Sequence, residues 1–158
     1  MGQIISKKRR GFSLIELVIV VVILGIIGAI AIPRMSRGAS GAGESALIAD
    51  LAALRNSIEL YAAEHDGSYP TAAAIVAQLT TYTNAAGGTQ ATADSTFIYG
   101  PYLHSIPALK VKGTRKGASG IAAADAAGIG WLYTEVGGTI KANSTETSSD
   151  GTTTFDAF

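Results

Sequence analysis

From Phe12 to Ile32 the chain is apolar at almost every position, and Ser13 and Glu16 are the two polar interruptions. As a helix rising about 1.5 Å per residue, such a run is roughly 31 Å long. That length matches the roughly 30 Å hydrocarbon core of a bilayer. Water cannot solvate such a helix, so it crosses a membrane or lies inside a helical assembly. Pro33 ends the run. Its missing amide hydrogen and its ring predict a bend or a loosened turn there, with Gly25 and Gly28 weakening the same region. Gly25 and Ala29, four apart, leave a small-residue surface where another helix can come close. Glycine is also simply common in membrane helices.

Beyond Pro33 the pattern becomes amphipathic. A glycine- and serine-containing link (36–43) predicts weak helix. Leu47, Leu51, Leu54, Ile58 and Tyr61 then form one stripe at helical period, with Glu44, Asp50, Arg55, Glu59 and Glu64 on other faces. The stripe predicts a seam against a head domain. Asp66-Gly67 supplies a stop, and Tyr69-Pro70 reinforces it because the residue before proline avoids helical geometry. The layout is therefore 1–11 basic N-terminal segment, 12–33 apolar helix, 34–65 amphipathic half of the long helix, and 66–158 head.

Within the head, Thr71 is placed to cap a short helix from Ala72, with Ile75, Leu79 and Tyr82 on one face. Residues 83–95 read as a long loop. Phe97, Tyr99 and Tyr102 are expected to cover the long helix, since a small head has few other large residues for its core. Leu109 and Val111 alternate with Lys110 and Lys112 as an exposed strand does. Residues 113–120 form a basic, glycine-rich loop without phosphate-binding spacing, and the alanine-rich stretch 121–128 has no assignment. The clearest strand pair is 130–134 and 139–143, joined through Gly137-Gly138. The Ser/Thr-rich tail is expected to end in a short strand over 152–155.

Formal net charge is zero, but its distribution changes the picture. Lys7, Lys8, Arg9 and Arg10 hold 4 of the 12 cations, and residues 1–11 carry no acid. Removing them leaves 8 cations against 12 acids, a net of −4. A mildly acidic remainder argues against nucleic acid as a partner. The cation excess before the apolar run, against Arg34 and Arg37 after it, places the C-terminal head outside the cytoplasm. Hydropathy alone fits the uncleaved signal anchor of a one-pass membrane protein equally well. The carboxylate of Glu16 is the oddity, because an ionisable group inside such a segment is costly and needs a partner.

Four cations, Gly11, then Phe12-Ser13-Leu14-Ile15-Glu16-Leu17 and an apolar helix to Pro33 resemble the leader and first helix of type IV pilins and type II secretion pseudopilins. Counting Phe12 as the first mature residue, Glu16 is the fifth and Pro33 the twenty-second, as the family pattern has them. The resemblance implies an α+β fold: a long N-terminal α-helix, half membrane-spanning and half amphipathic, packed on a small antiparallel β-sheet head. It implies cleavage by a prepilin peptidase between Gly11 and Phe12, which makes 1–11 a leader, and methylation of the new amine. It also implies assembly of identical subunits through Phe12 and Glu16 on an inner-membrane platform with minor pseudopilins. A periplasmic or extracellular filament follows. The absence of cysteine tilts the reading from a type IV pilin, used in adhesion, motility or DNA uptake, toward the major pseudopilin. Many secretion pseudopilins hold calcium in a loop near the C-terminus. Asp150 and Asp156, with backbone carbonyls, can supply hard oxygen ligands, although the family's compact acidic loop is not recognisable.

Catalytic chemistry is not visible in the sequence. His65 and His104 stand 39 residues apart, and neither has a neighbour at metal-ligand spacing. Gly117-Ala118-Ser119-Gly120 lacks the spacing of a nucleophile elbow. The Asn143-Ser144-Thr145 glycosylation triplet is of a kind that arises often by chance. A filament subunit, a minor pilin binding surfaces or DNA, and a membrane-anchored enzyme are the three classes open. The net charge of −4 does not favour the second, and no site is visible for the third.

Overall fold

The computed structural model describes residues 12–158, with residues 32–38 described by their backbone alone. Helix α1 spans Leu14–Glu64. The chain divides into two units, Met1–Gly38 and Ala39–Phe158.

In the first unit, the window Leu14–Ala31 has a mean hydropathy of 3.0 and none of it is buried. By length and composition it can cross a membrane. The helical assignment continues through Pro33 without a break. Proline removes one backbone bond without stopping the helix.

The second unit has its own core. Leu47, Leu51, Leu54, Ile58 and Tyr61, the predicted stripe of α1, are each at most 2% exposed. The helix stops where expected: Asp66 and Gly67 both take positive φ, 52° and 81°. The Gly67 amide bonds back to the Ala62 carbonyl at 2.8 Å, which closes the last turn.

Helix α2 spans Ile75–Thr80, and Ile75 and Leu79 face the stripe of α1. It starts three residues later than the sequence predicts and its N-cap is Ala74, with no side-chain cap. Thr71 does not cap it, and its amide (2.9 Å) and hydroxyl (3.4 Å) both donate to Gln78 Oε1 instead. Tyr82 leaves the helix for strand β1 (Tyr82–Thr83), which pairs antiparallel with β2 (Thr89–Gln90). A two-residue hairpin therefore sits inside the stretch expected to be a loop.

A three-stranded sheet closes the core in the order β3 (Gly120–Ala122), β4 (Ile129–Thr134), β5 (Thr139–Ala142). The hairpin β4–β5 is antiparallel, as the sequence predicts, while β3 adds a parallel edge to β4. Gly137 and Gly138 take φ of 79° and 60° in its turn. A side chain at Gly138 would strike the ring of Tyr69. Gly130 matters for another reason, since any Cβ there would run into the Ala118 carbonyl and part the two chains.

Leu109 and Val111 are buried between exposed Lys110 and Lys112, so the alternation is present. No strand forms there. Leu109 instead exchanges backbone bonds with Ala118 (2.9 Å) and Gly117 (2.7 Å) across a turn. The tail strand is likewise reduced to a single bridge, Thr147–Thr154, before a 3-10 turn at Phe155–Ala157. Trp131 and Tyr133 fill the centre, and each polar tip finds a carbonyl: Trp131 Nε1 donates to Pro107 (2.8 Å) and the Tyr133 hydroxyl to Pro70 (2.9 Å).

Candidate functional site

At the start of α1, Phe12 and Ser13 lie outside the helix and Leu14 begins it. The Ser13 amide donates to Glu16 Oε2 at 2.8 Å. A free amide at a helix N-terminus has no intrahelical acceptor, and a carboxylate three residues on supplies one. Ser13-Leu14-Ile15-Glu16 is thus half of a capping box. The acid of Glu16 also lies at the positive end of the helix dipole. The partner that the sequence reading sought for this carboxylate is, within one chain, a backbone amide. The Ser-x-x-Glu spacing was the available signal.

Phe12 is 83% exposed, and the aliphatic side chains that follow it are exposed as well. The predicted scissile residue Gly11, with the rest of the leader, lies outside the described residues. Gly25 has no atom within 4 Å of where a Cβ would stand, which leaves open space along that face. This end therefore offers an apolar cylinder whose one acid is held at its tip. Chemically it can associate with lipid or with other helices.

Tyr99 and Tyr102 reach the end of α1 as expected. The Tyr99 ring lies 5.1 Å from that of His65, and Tyr102 meets Tyr61 edge-on at 5.6 Å. Phe97 sits instead in a turn held by Asp94, which accepts its amide at 2.9 Å. His65 is buried and stacked on Tyr61 at 3.8 Å. Its Nδ1 lies 2.8 Å from the Tyr61 carbonyl and its Nε2 lies 3.0 Å from that of Asn84. The ring fastens the end of α1 to the segment after β1. His104 is exposed and lines a different, open depression with Val76, Thr80 and Ser119. The two histidines do not converge.

In the C-terminal tail, Asp150 accepts hydrogen bonds from the amides of Thr152 (2.8 Å) and Thr153 (2.9 Å) and from the hydroxyls of Thr153 and Ser148 (both 2.7 Å). Those donors favour the charged form and hold its carboxyl well below the usual carboxylate range, the Thr152 and Thr153 amides contributing most. Ser149 donates through its amide and its hydroxyl to the two oxygens of Glu44, both at 2.6 Å, which ties the turn to α1. Asp156 lies 3.8 Å from Lys141 Nζ. Among the described residues, no three His, Cys, Asp or Glu side chains group together in a way that holds a metal ion. Asp150 and Asp156 thus fit a hydrogen-bonded turn and a surface ion pair.

Asn143 of the glycosylation triplet is committed too, its amide donating to Asp125 Oδ1 (2.7 Å) and to the Ile129 carbonyl (2.8 Å). Asp125 also receives Arg115 at 2.6 Å, and these contacts, the arginine first, lower its pKa to about 2.

Residues 6–32 match the family model described as the prokaryotic N-terminal methylation motif. No curated protein and no solved structure matches the chain. The matched segment contains Gly11, Phe12 and Glu16, and it is the signature of type IV pilins and pseudopilins. The matched segment runs into a long apolar helix ahead of an α+β head, a layout consistent with a pilin-like fold and with membrane anchoring.

Proposed function

We propose that the chain is the major pseudopilin of a type II secretion system, a structural subunit rather than an enzyme. A prepilin peptidase removes residues 1–11 on the cytoplasmic side and methylates Phe12. The subunit waits in the inner membrane with its head outside, then joins a helical filament of identical subunits on the assembly platform, with minor pseudopilins as further partners. One observation carries this reading: the methylation motif opens directly onto an apolar helix in which no residue of Leu14–Ala31 is buried. The lack of cysteine supports a pseudopilin over a type IV pilin.

Glu16 carries assembly through its charge. Among the described residues, its carboxylate has only the Ser13 amide. Taking a charge out of water costs several kcal/mol unless an opposite charge meets it. After cleavage the cation at that depth is the α-amino group of Phe12 of an axially displaced neighbour. Pairing the two sets the register of addition, while the apolar surfaces supply affinity.

Glu16→Gln tests this. Glutamine keeps the size and the capping acceptor and loses the charge. The variant is expected to be cleaved and inserted normally and to fail to enter filaments, as read by intact mass and by electron microscopy of sheared fractions. Wild-type incorporation overturns the role of the charge. Filaments from overproducing cells that form only with the secretion machinery support the pseudopilin reading.

A further inference from the structure

An open helical filament propagates only through a heterologous contact, in which one surface of each subunit meets a different surface of the next. The head carries two such surfaces, of opposite sign. Residues 110–116 hold Lys110, Lys112, Arg115 and Lys116, four of the six Lys and Arg in 39–158. This loop packs on the first part of α1 within the head unit, where the Lys110 carbonyl crowds Gly43 and Lys110 Nζ meets Asp50 Oδ2 at 2.8 Å. Arg115 is taken by Asp125, and Glu146 lies beside Gly113. Lys112 and Lys116 are exposed and, among the described residues, make no ion pair.

The other charged region is the far end of α1, where Glu59 and Glu64, five residues apart, lie about 140° from each other around the helix. Glu59 accepts from the Tyr69 hydroxyl (3.4 Å), Glu64 from that of Tyr102 (2.6 Å), and Glu135 from the Ala72 amide (3.0 Å). Tyr69 lies against Gly138, which brings Glu59 and the β4–β5 turn to the same side. With Asp66 these are four carboxylates, and among the described residues none is in an ion pair. Asp50 and Glu64 are fourteen residues apart on one helix, about 21 Å along its axis. The two surfaces are therefore offset along the direction in which the filament reading displaces neighbouring subunits.

We infer that Lys112 and Lys116 of one subunit face the acidic end, Glu59 and Glu64 foremost, of the head of an axially displaced second copy of this chain. The inference rests on the filament reading. Exposed pairs of this kind add little affinity each, and what they supply is register and a bias against wrong neighbours.

The experiment uses the full-length protein in cells that assemble it. The variants are Lys112→Glu with Lys116→Glu, Glu59→Lys with Glu64→Lys, and all four together, each checked for processing by mass and for head folding by thermal melting. Each pair is expected to lower the yield of sheared filaments about tenfold at low ionic strength, with the difference narrowing as salt is added. The fourfold variant is expected to recover most of the wild-type yield. Wild-type yield from Lys112→Glu with Lys116→Glu overturns the proposal. A loss that the fourfold variant does not repair also overturns it and assigns the loop to another partner, such as anionic lipid. Processed wild-type protein that forms no filament under any condition overturns the filament reading itself, and this contact with it.

Discussion

The two units of this chain solve the same problem in opposite ways. Ala39–Phe158 buries its apolar side chains inside itself: Leu47, Leu54, Ile58, Leu79 and Trp131 are all inaccessible to solvent. Between Leu14 and Ile30 the described part of the first unit keeps comparable side chains, such as Val21, Ile23 and Ile27, about half exposed. Composition alone does not separate the two, because Leu, Ile and Val dominate both. What differs is patterning. A stripe at helical period leaves a polar face for water, whereas a helix that is apolar all round has no face to give it. The head therefore takes its stability from its own core, and the N-terminal helix must take it from lipid or from other copies.

The strongest test of that contrast is to prevent the helix from leaving its leader. Gly11→Val places a β-branched side chain where the motif has glycine, which stiffens and crowds the junction. Intact-mass measurement is expected to show residues 1–11 retained, and no filament should form. Normal cleavage of this variant removes the main support for the prepilin reading.

Deleting apolar atoms in each unit sharpens the comparison next. Leu54 is fully buried, so Leu54→Ala should lower head stability by about 2–5 kcal/mol, a lost transfer term plus a cavity. Val21 is half exposed, so Val21→Ala should leave head unfolding unchanged within about 0.5 kcal/mol. Its cost, if the helix packs against other copies, appears in filament yield. Thermal and denaturant melting of both variants in detergent decides it. A head destabilised by Val21→Ala means that the two units depend on each other.

Much of this was legible beforehand, and the misses share a cause. The stripe of α1, its stop at Asp66-Gly67 and the β4–β5 hairpin all depend on local rules of period and turn chemistry. The start of α2 was misplaced because Thr71 is engaged by Gln78, a contact no local rule foretells. Strand β3 was unassigned because its partner β4 is non-local and an alanine-rich stretch has no β signature. Leu109 and Val111 alternate correctly yet pair across a tight turn rather than in a ladder. At the candidate site, Gly11, Phe12 and Glu16 carry the resemblance that the match over residues 6–32 reports. The amide that holds Glu16 was readable as well, from Ser13 three residues before it.

A smaller effect concerns metal. The tail turn is closed by Asp150 and by the Glu44–Ser149 bonds, and no described cluster of acids is left for an ion. Adding a calcium chelator, or excess calcium, should leave the melting temperature of the purified protein where it was. A rise in melting temperature with calcium, saturating as a binding isotherm does, means that the tail holds a site after all.

The smallest expected effect is the pH dependence of that turn. Asp150 is exposed, and its carboxyl is held below its ordinary range by two amides and two hydroxyls of its own turn. A depressed folded-state pKa means that the unfolded chain binds the proton more readily. The stabilisation is thus fully present above the unfolded value of about 3.9 and is lost as pH falls through the folded one. Asp125, at about 2 through Arg115 and Asn143, adds to the same window. Asp150→Asn keeps an acceptor but removes the charge, so its melting temperature should lie slightly below wild type at neutral pH, the two converging in acid. The gap is small because water screens both ends of an exposed contact. A gap that widens as pH falls has the wrong sign for this turn and places its stability elsewhere, with Glu44 and Ser149 as the next pair to remove.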